Sequence, residues 1–219
     1  MNPTLPPFQI AVIWLSSLAL PGLWGAEPNE VVSLFDGETL GHWEPIPFGG
    51  EGHVHVSFDG WLTLENGNPF TGVVWKGPSK ELPHSNYEIS FEAIKHYGDD
   101  FFCGLTLPVG DSSATLICGG WGGVIVGLSS IDEEDASLNE TSTSMSFTDG
   151  QWYSIRIRVT DEKVAAWIDN EPVFEVALEG KKISLRPGPI DQCLPLGFAN
   201  FRTRSAFRNI EMKRIDPTD

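Results

Sequence analysis

The sequence is poor in cysteine, in basic side chains and in long apolar runs. Three cysteines, Cys103, Cys118 and Cys193, are spread over 219 residues. No CxxC or CxxH spacing occurs, which argues against a zinc or haem site built on cysteine. The odd count leaves at least one free thiol. Cys103 and Cys118 sit in strand-like runs and are either a cross-strand pair or buried thiols. Lys and Arg number 14 against 30 Asp and Glu, for a net charge of -16. Phosphate backbones and anionic lipid surfaces select for Lys and Arg, so the balance speaks against nucleic acid and membrane surfaces as partners. No amphipathic helix of useful length is present; the best stretch, residues 129–139, is short and acidic. Neither a GxSxG nucleophile elbow nor an acidic i, i+2, i+4 pattern occurs.

The longest apolar run, residues 10–20 (IAVIWLSSLAL), is shorter than the roughly 20 residues a membrane span needs. It is followed by Pro21, Gly22, Gly25 and Ala26, and no charged side chain precedes Glu27. Residues 1–26 are read as a signal peptide, with an N-terminal anchor or a buried strand as the alternatives. The n-region lacks Lys and Arg, and Trp24 is bulky for a position near the cut. The reading implies a secreted or periplasmic protein with no membrane attachment after cleavage. The part after residue 26 carries the whole net charge and holds a single domain over residues 29–215.

Within that domain the hydrophobic period is two. Tyr87, Ile89, Phe91 and Ala93 alternate with Glu88, Ser90, Glu92 and Ile94. Tyr153, Ile155, Ile157 and Val159 alternate with Ser154, Arg156 and Arg158. Each is a strand with one face buried and one wet. About a dozen such runs are punctuated by Gly, Asn, Asp or Pro. Asp169-Asn170, between Trp167-Ile168 and Val173-Phe174, predicts a two-residue hairpin turn. Trp43, Trp75, Trp152 and Trp167 sit in apolar patterns and are expected in the core. Regularly spaced strands without helices predict an all-β sandwich or a related barrel, with one sheet face free to carry a groove.

Leu34-Phe35-Asp36-Gly37, followed by Leu40 and Trp43, is similar to the LFDGxxLxxW start of a bacterial family known as 3-keto-disaccharide hydrolases. Residues 149–153, with Ile155, Ile157, Val159, Val164, Trp167 and Asn170, resemble that family's late WxxxxIxVxGxxIxxxxNG segment. Phe207-Arg208-Asn209-Ile210 resembles its closing FRNI strand. The middle departs: residues 99–106 stand where members carry an NSGIFLR-like strand, and residues 119–124 where they carry an EVQI-like one. The resemblance implies a concanavalin A-like jelly-roll β-sandwich of two curved antiparallel sheets. It also implies cleavage of a glycoside or 3-keto-glycoside by acid/base chemistry. The alternative is a non-catalytic glycan-binding or adhesion module, and a scaffold that docks another protein is a third class.

On the enzyme reading the candidate catalytic residues are His96, Asp99 and Glu92. A 3-keto group acidifies the neighbouring C–H, so a base is required, and an acid for the leaving oxygen. Glu88 and Glu92 lie about 13 Å apart on one strand, too far for the carboxylate pair of a retaining glycosidase. Trp121, flanked by two glycines on each side, is either a stacking platform for a sugar or a ring turned into the core at a tight corner. Arg156, Arg202 and Arg204 are candidate ligand-binding side chains that equally balance the acidic surface. The acidic run 132–135 is a solvated loop or a calcium site. His53 and His55 share a strand face and are either an exposed pair or two ligands of a metal. The expected partner is a carbohydrate or small polar ligand; the oligomeric state is open.

Overall fold

A computed structural model describes residues 30–78 and 82–216. The expected leader over residues 1–26 lies outside the described residues. Fifteen strands, β1 to β15, form two antiparallel sheets stacked as a sandwich. The first sheet runs β13 (Glu171–Ala177), β12 (Lys163–Ile168), β11 (Trp152–Val159), β6 (Tyr87–Gly98), β15 (Thr203–Arg214), β4 (Leu62–Leu64) and β3 (Val54–Val56), and β1 (Val31–Ser33) pairs the far end of β15. The second runs β10 (Thr143–Ser144), β9 (Ile125–Ser129), β8 (Ser112–Gly119), β7 (Cys103–Val109), β14 (Gly197–Phe201), β5 (Phe70–Trp75) and β2 (Trp43–Pro45). Chain neighbours such as β5 and β6 lie in different sheets, which is the jelly-roll way of burying one face of every strand.

The period-two runs become strands with the expected sides. In β6 (Tyr87–Gly98) Tyr87, Ile89, Phe91 and Ala93 are buried between the sheets. In β11 (Trp152–Val159) Tyr153, Ile155, Ile157 and Val159 join them. The Asp169-Asn170 turn joins β12 (Lys163–Ile168) to β13 (Glu171–Ala177). Both turn residues have positive φ, 52° and 67°, as a type I′ hairpin requires. Residues 129–139 form no helix; they begin in β9 (Ile125–Ser129) and continue as a turn-rich loop.

The core is aromatic at its centre. Phe198 of β14 (Gly197–Phe201) lies 4.6 Å from Phe207 of β15 (Thr203–Arg214), 5.0 Å from Phe91 and 5.5 Å from Trp43. Such contacts across the sandwich join the two sheets. The Trp43 indole donates to the Leu34 carbonyl at 2.8 Å, so the LFDGxxLxxW motif stitches its own start to its end. Trp43 and Trp75 are core, as expected. Trp152 and Trp167 are not: both lie half-buried on the outer face of the first sheet. Trp152 precedes the inward Tyr153, so strand alternation turns it outward. Trp167 lies opposite Arg156, an outward residue of β11.

A second, smaller cluster sits on the outside of the second sheet. Ile46, Val74, Ile190, Cys193 and Ala199 form it, with Phe48, Phe70 and Phe101 packed against it. It exists because residues 186–195 cross back over the sheet. A 3-10 turn over Pro189–Cys193 presses down where Gly197 leaves room; a Cβ there would stand 2.7 Å from the Cys193 carbonyl oxygen. All three cysteines are buried free thiols, with Cys103 directly opposite Cys118 across β7 (Cys103–Val109) and β8 (Ser112–Gly119). Burial pushes the Cys103 thiol well up and Cys193 up to about 12, so neither is a nucleophile at neutral pH.

Candidate functional site

The two outer faces differ in chemistry. On the first sheet, Glu92 is opposite Arg208 and accepts two hydrogen bonds from it, both at 3.0 Å. A register shift after Arg208, where Asn209 takes φ 52°, brings the next side chain to the same carboxylate at 2.5 Å. These hydrogen bonds, Arg208 first, hold Glu92 below its ordinary value against the opposing pull of burial. Arg208 also lies 4.1 Å over the Trp152 ring. Arg156 repeats the arrangement, 3.9 Å over Trp167 and 3.0 Å from Glu88. Arg204 pairs with Glu65 at 2.8 Å. His96 stacks on Trp61 at 6.3 Å, and its Nε2 is buried without a hydrogen-bond partner. Burial first, and then Arg204, lower its affinity for a proton.

The second sheet carries an open cleft of about 340 Å³, at the small end of the range for ligand pockets. Thr115 and Ile117 of β8 and Ser129 of β9 form its floor. One wall is Trp121. Gly119, Gly122 and Gly123 all take positive φ, and Trp121 itself sits at φ 49°, ψ 58°. This left-handed conformation strains a residue with a Cβ. Trp121 remains 38% exposed, so its ring is not turned into the core. The opposite wall is Phe70, Phe101 and Phe201, with centroids 4.9 to 6.2 Å apart. Phe101 lies over Gly104, where a Cβ would meet its ring at 3.0 Å.

Arg186, Pro187, Gly188, Pro189 and Ile190 close the third side. The acidic run places them. Asp132 pairs with Lys181 at 3.4 Å and Glu133 with Lys182 at 2.5 Å. Ser130 and Ser184 exchange backbone hydrogen bonds. These contacts tie residues 181–186 to the edge of β9. The Arg186 guanidinium then lies 3.5 Å from Asp135 and 6.0 Å from the Trp121 ring centroid. Asp135 accepts a hydrogen bond from Ser129 at 3.3 Å.

The expected site residues therefore fall in two places. Trp121 lines the cleft. Asp99 precedes the lining residue Asp100, its backbone adjoins Gly123, and its carboxylate is 3.8 Å from Arg202. His96, Glu92, Arg204 and Arg156 lie on the other sheet's outer face and do not meet Trp121. Sequence reasoning missed Phe70, Phe201, Ile117, Ser129 and Arg186. Of these only Arg186, in the unusual run Arg-Pro-Gly-Pro, left a local signal. His53 and His55 stack at 5.0 Å, and among the described residues no three metal-ligating side chains gather.

Solved structures share this fold. A glycosyl hydrolase from Parabacteroides distasonis, itself described as putative, matches with a TM-score of 0.51 at 14% identity, over 85% of this chain and 94% of its own. The Crh5 transglycosylase bound to NAG matches with a TM-score of 0.53 at 12% identity, over 88% and 86%. Domain 4 of AbnA, an extracellular arabinanase from Geobacillus stearothermophilus, matches with arabinotriose bound, with a TM-score of 0.51 at 12% identity, over 80% and 84%. No curated protein matches the chain. Identities this low speak for the sandwich alone, but the sequence profile of one family covers residues 30–213, from the start of β1 almost to the end of β15. The chain belongs to the 3-keto-alpha-glucoside-1,2-lyase-like domain family.

Proposed function

We propose that this domain binds a glycoside in the cleft on the outer face of the second sheet, with Trp121 stacked on the sugar ring. One observation carries the reading: an exposed, strained indole faces into a concave space that also offers Arg186, Ser129, Thr115 and Asp100. A pyranose has an apolar C–H face and a rim of hydroxyls. It therefore suits a flat aromatic beside a few fixed donors and acceptors. Family membership supports a glucoside or its 3-keto form as the ligand.

Cleavage of the 3-keto form is the second reading, favoured by the family. A base would remove the proton at C2, which the C3 ketone acidifies. The electron pair would form the C1–C2 double bond, and the C1–O bond would break with a proton delivered to the leaving oxygen. Asp100, which lines the cleft, and its neighbour Asp99 are the candidates for the base; Arg186 would orient the ring oxygens. Glu92, clamped by Arg208 and Asn209, has no route to a ligand stacked on Trp121.

Calorimetry with methyl α- and β-D-glucopyranosides and their 3-keto forms tests binding. The same mixtures, with and without chelator, test turnover by product analysis. The expected result is saturable binding that Trp121→Ala abolishes. Turnover lost in Asp100→Asn and retained in Glu92→Gln supports cleavage. Absence of binding by every glucoside overturns the sugar reading.

A further inference from the structure

The cleft is chemically divided. Its polar side is Arg186, Ser129 and Thr115, with Asp135 behind them. Its other side is Phe70, Phe101 and Phe201, with Asp100 next to Phe101. The three phenyl rings are each only half-buried and do not close over one another. They continue the small cluster of Ile46, Val74, Ile190 and Ala199, so the apolar wall is the exposed margin of a second core.

Two sugar rings side by side would serve this cleft badly. The ring on the phenylalanine side would lose water from its rim hydroxyls and find there only the Asp100 carboxylate, already engaged by the Phe101 N–H at 2.8 Å. A flat apolar group in the same place would bury surface on both partners and pair ring against ring.

We propose that the ligand is a glycoside with an aromatic or similarly flat apolar aglycone. The sugar stacks on Trp121 beside Arg186, and the aglycone lies against Phe70, Phe101 and Phe201. Phe101, held over Gly104, is the specificity-determining side chain. The inference rests on the cleft being a sugar site, and it replaces the second sugar of a disaccharide by an apolar ring.

Calorimetric titration of the full chain with phenyl β-D-glucopyranoside, methyl β-D-glucopyranoside, cellobiose and phenol tests it. The expected order is phenyl glucoside at least 10-fold tighter than methyl glucoside or cellobiose, with phenol alone weaker still. Phe101→Ala should lower phenyl glucoside affinity far more than methyl glucoside affinity, and so remove most of the phenyl preference. Phe101→Leu, which keeps packing on Gly104, should give an intermediate preference, and a melting curve confirms that each variant is folded. Equal affinity for phenyl and methyl glucosides, or tighter binding of cellobiose, overturns the proposal while the sugar reading stands. Phenol binding as tightly as phenyl glucoside overturns it by removing the need for the sugar. Binding of none of the glucosides overturns the sugar reading itself, and the aglycone with it.

Discussion

The outer face of the first sheet and the outer face of the second are made from the same alternating strands, yet they are finished in opposite ways. On the first, the charged groups satisfy one another: Glu92 by Arg208 and Asn209, Glu88 by Arg156 and Arg158, Glu65 by Arg204. Arg208 and Arg156 are also flattened on tryptophans. What this face leaves to a ligand is the unpartnered His96 Nε2 and a cavity of about 240 Å³ lined by Asp36, Asp59, Trp61, Arg208 and Asn209. On the second, glycines and small side chains leave the sheet bare. Loops from elsewhere in the chain cover part of it and leave a gap walled by Trp121 and Phe101. A dense row of charges marks a face whose carboxylates are mostly held by neighbours; the larger and more apolar cleft lies where strong charges are few.

Four experiments break or sharpen that contrast. The largest effect is expected at Trp121→Ala: glucoside affinity falls at least 10-fold, about 1.4 kcal/mol, with the melting temperature almost unchanged because the ring is exposed. A large drop in melting temperature would make Trp121 a packing residue and erase the difference between the faces. Next is Arg208→Ala. It strips the two charge-assisted bonds from Glu92 and uncovers Trp152, and should cost about 1–2 kcal/mol in urea unfolding. Glucoside binding should be unaffected; a parallel loss of binding would join the two faces into one site.

The third is a pH titration of stability. His96 binds its proton less readily in the fold than its ordinary value of 6.5, so the unfolded chain takes up more protons as pH falls below that value. Stability is therefore full above about pH 6.5 and falls on acidification. Glu92, whose folded value lies below 4.5, adds a further loss at lower pH, as acid reaches that depressed value. His96→Gln should flatten the upper part of the slope and Glu92→Gln the lower part, both followed by thermal melting. Unchanged slopes would mean that neither group differs between fold and unfolded chain. The smallest effect is expected for Lys163→Ala. Its 2.9 Å pair with Glu175 is solvent-exposed, and its loss should change stability by less than about 0.5 kcal/mol.

Much of the fold is legible because strand alternation is local. Tyr87, Ile89 and Phe91 declare their face by spacing alone, and Asp169-Asn170 declares its turn. The same rule, applied strictly, would have placed Trp152 outside, opposite in sense to Tyr153; treating tryptophan as a core residue by type is what misplaced it. Trp121 was legible through its glycines. Arg186 was not, because its position depends on pairing between the acidic run at 132–135 and Lys181-Lys182, about 50 residues away. His96 and Glu92 stand out as titratable groups, yet spacing along β6 cannot tell that they lie on the face opposite Trp121.

The sequence by itself determined the all-β architecture, the inward face of each long strand, the hairpin turn and the family, since these follow from period-two burial, turn chemistry and contiguous motifs. The tertiary structure alone decided where the aromatic-walled cleft opens. That depends on where residues 186–195 cross back over the second sheet, on glycines that let them approach, and on three phenylalanines from β5 (Phe70–Trp75), the turn before β7 and the end of β14 meeting beside one tryptophan. No local pattern encodes such a meeting, because each of those side chains finds its neighbours only after the two sheets have closed.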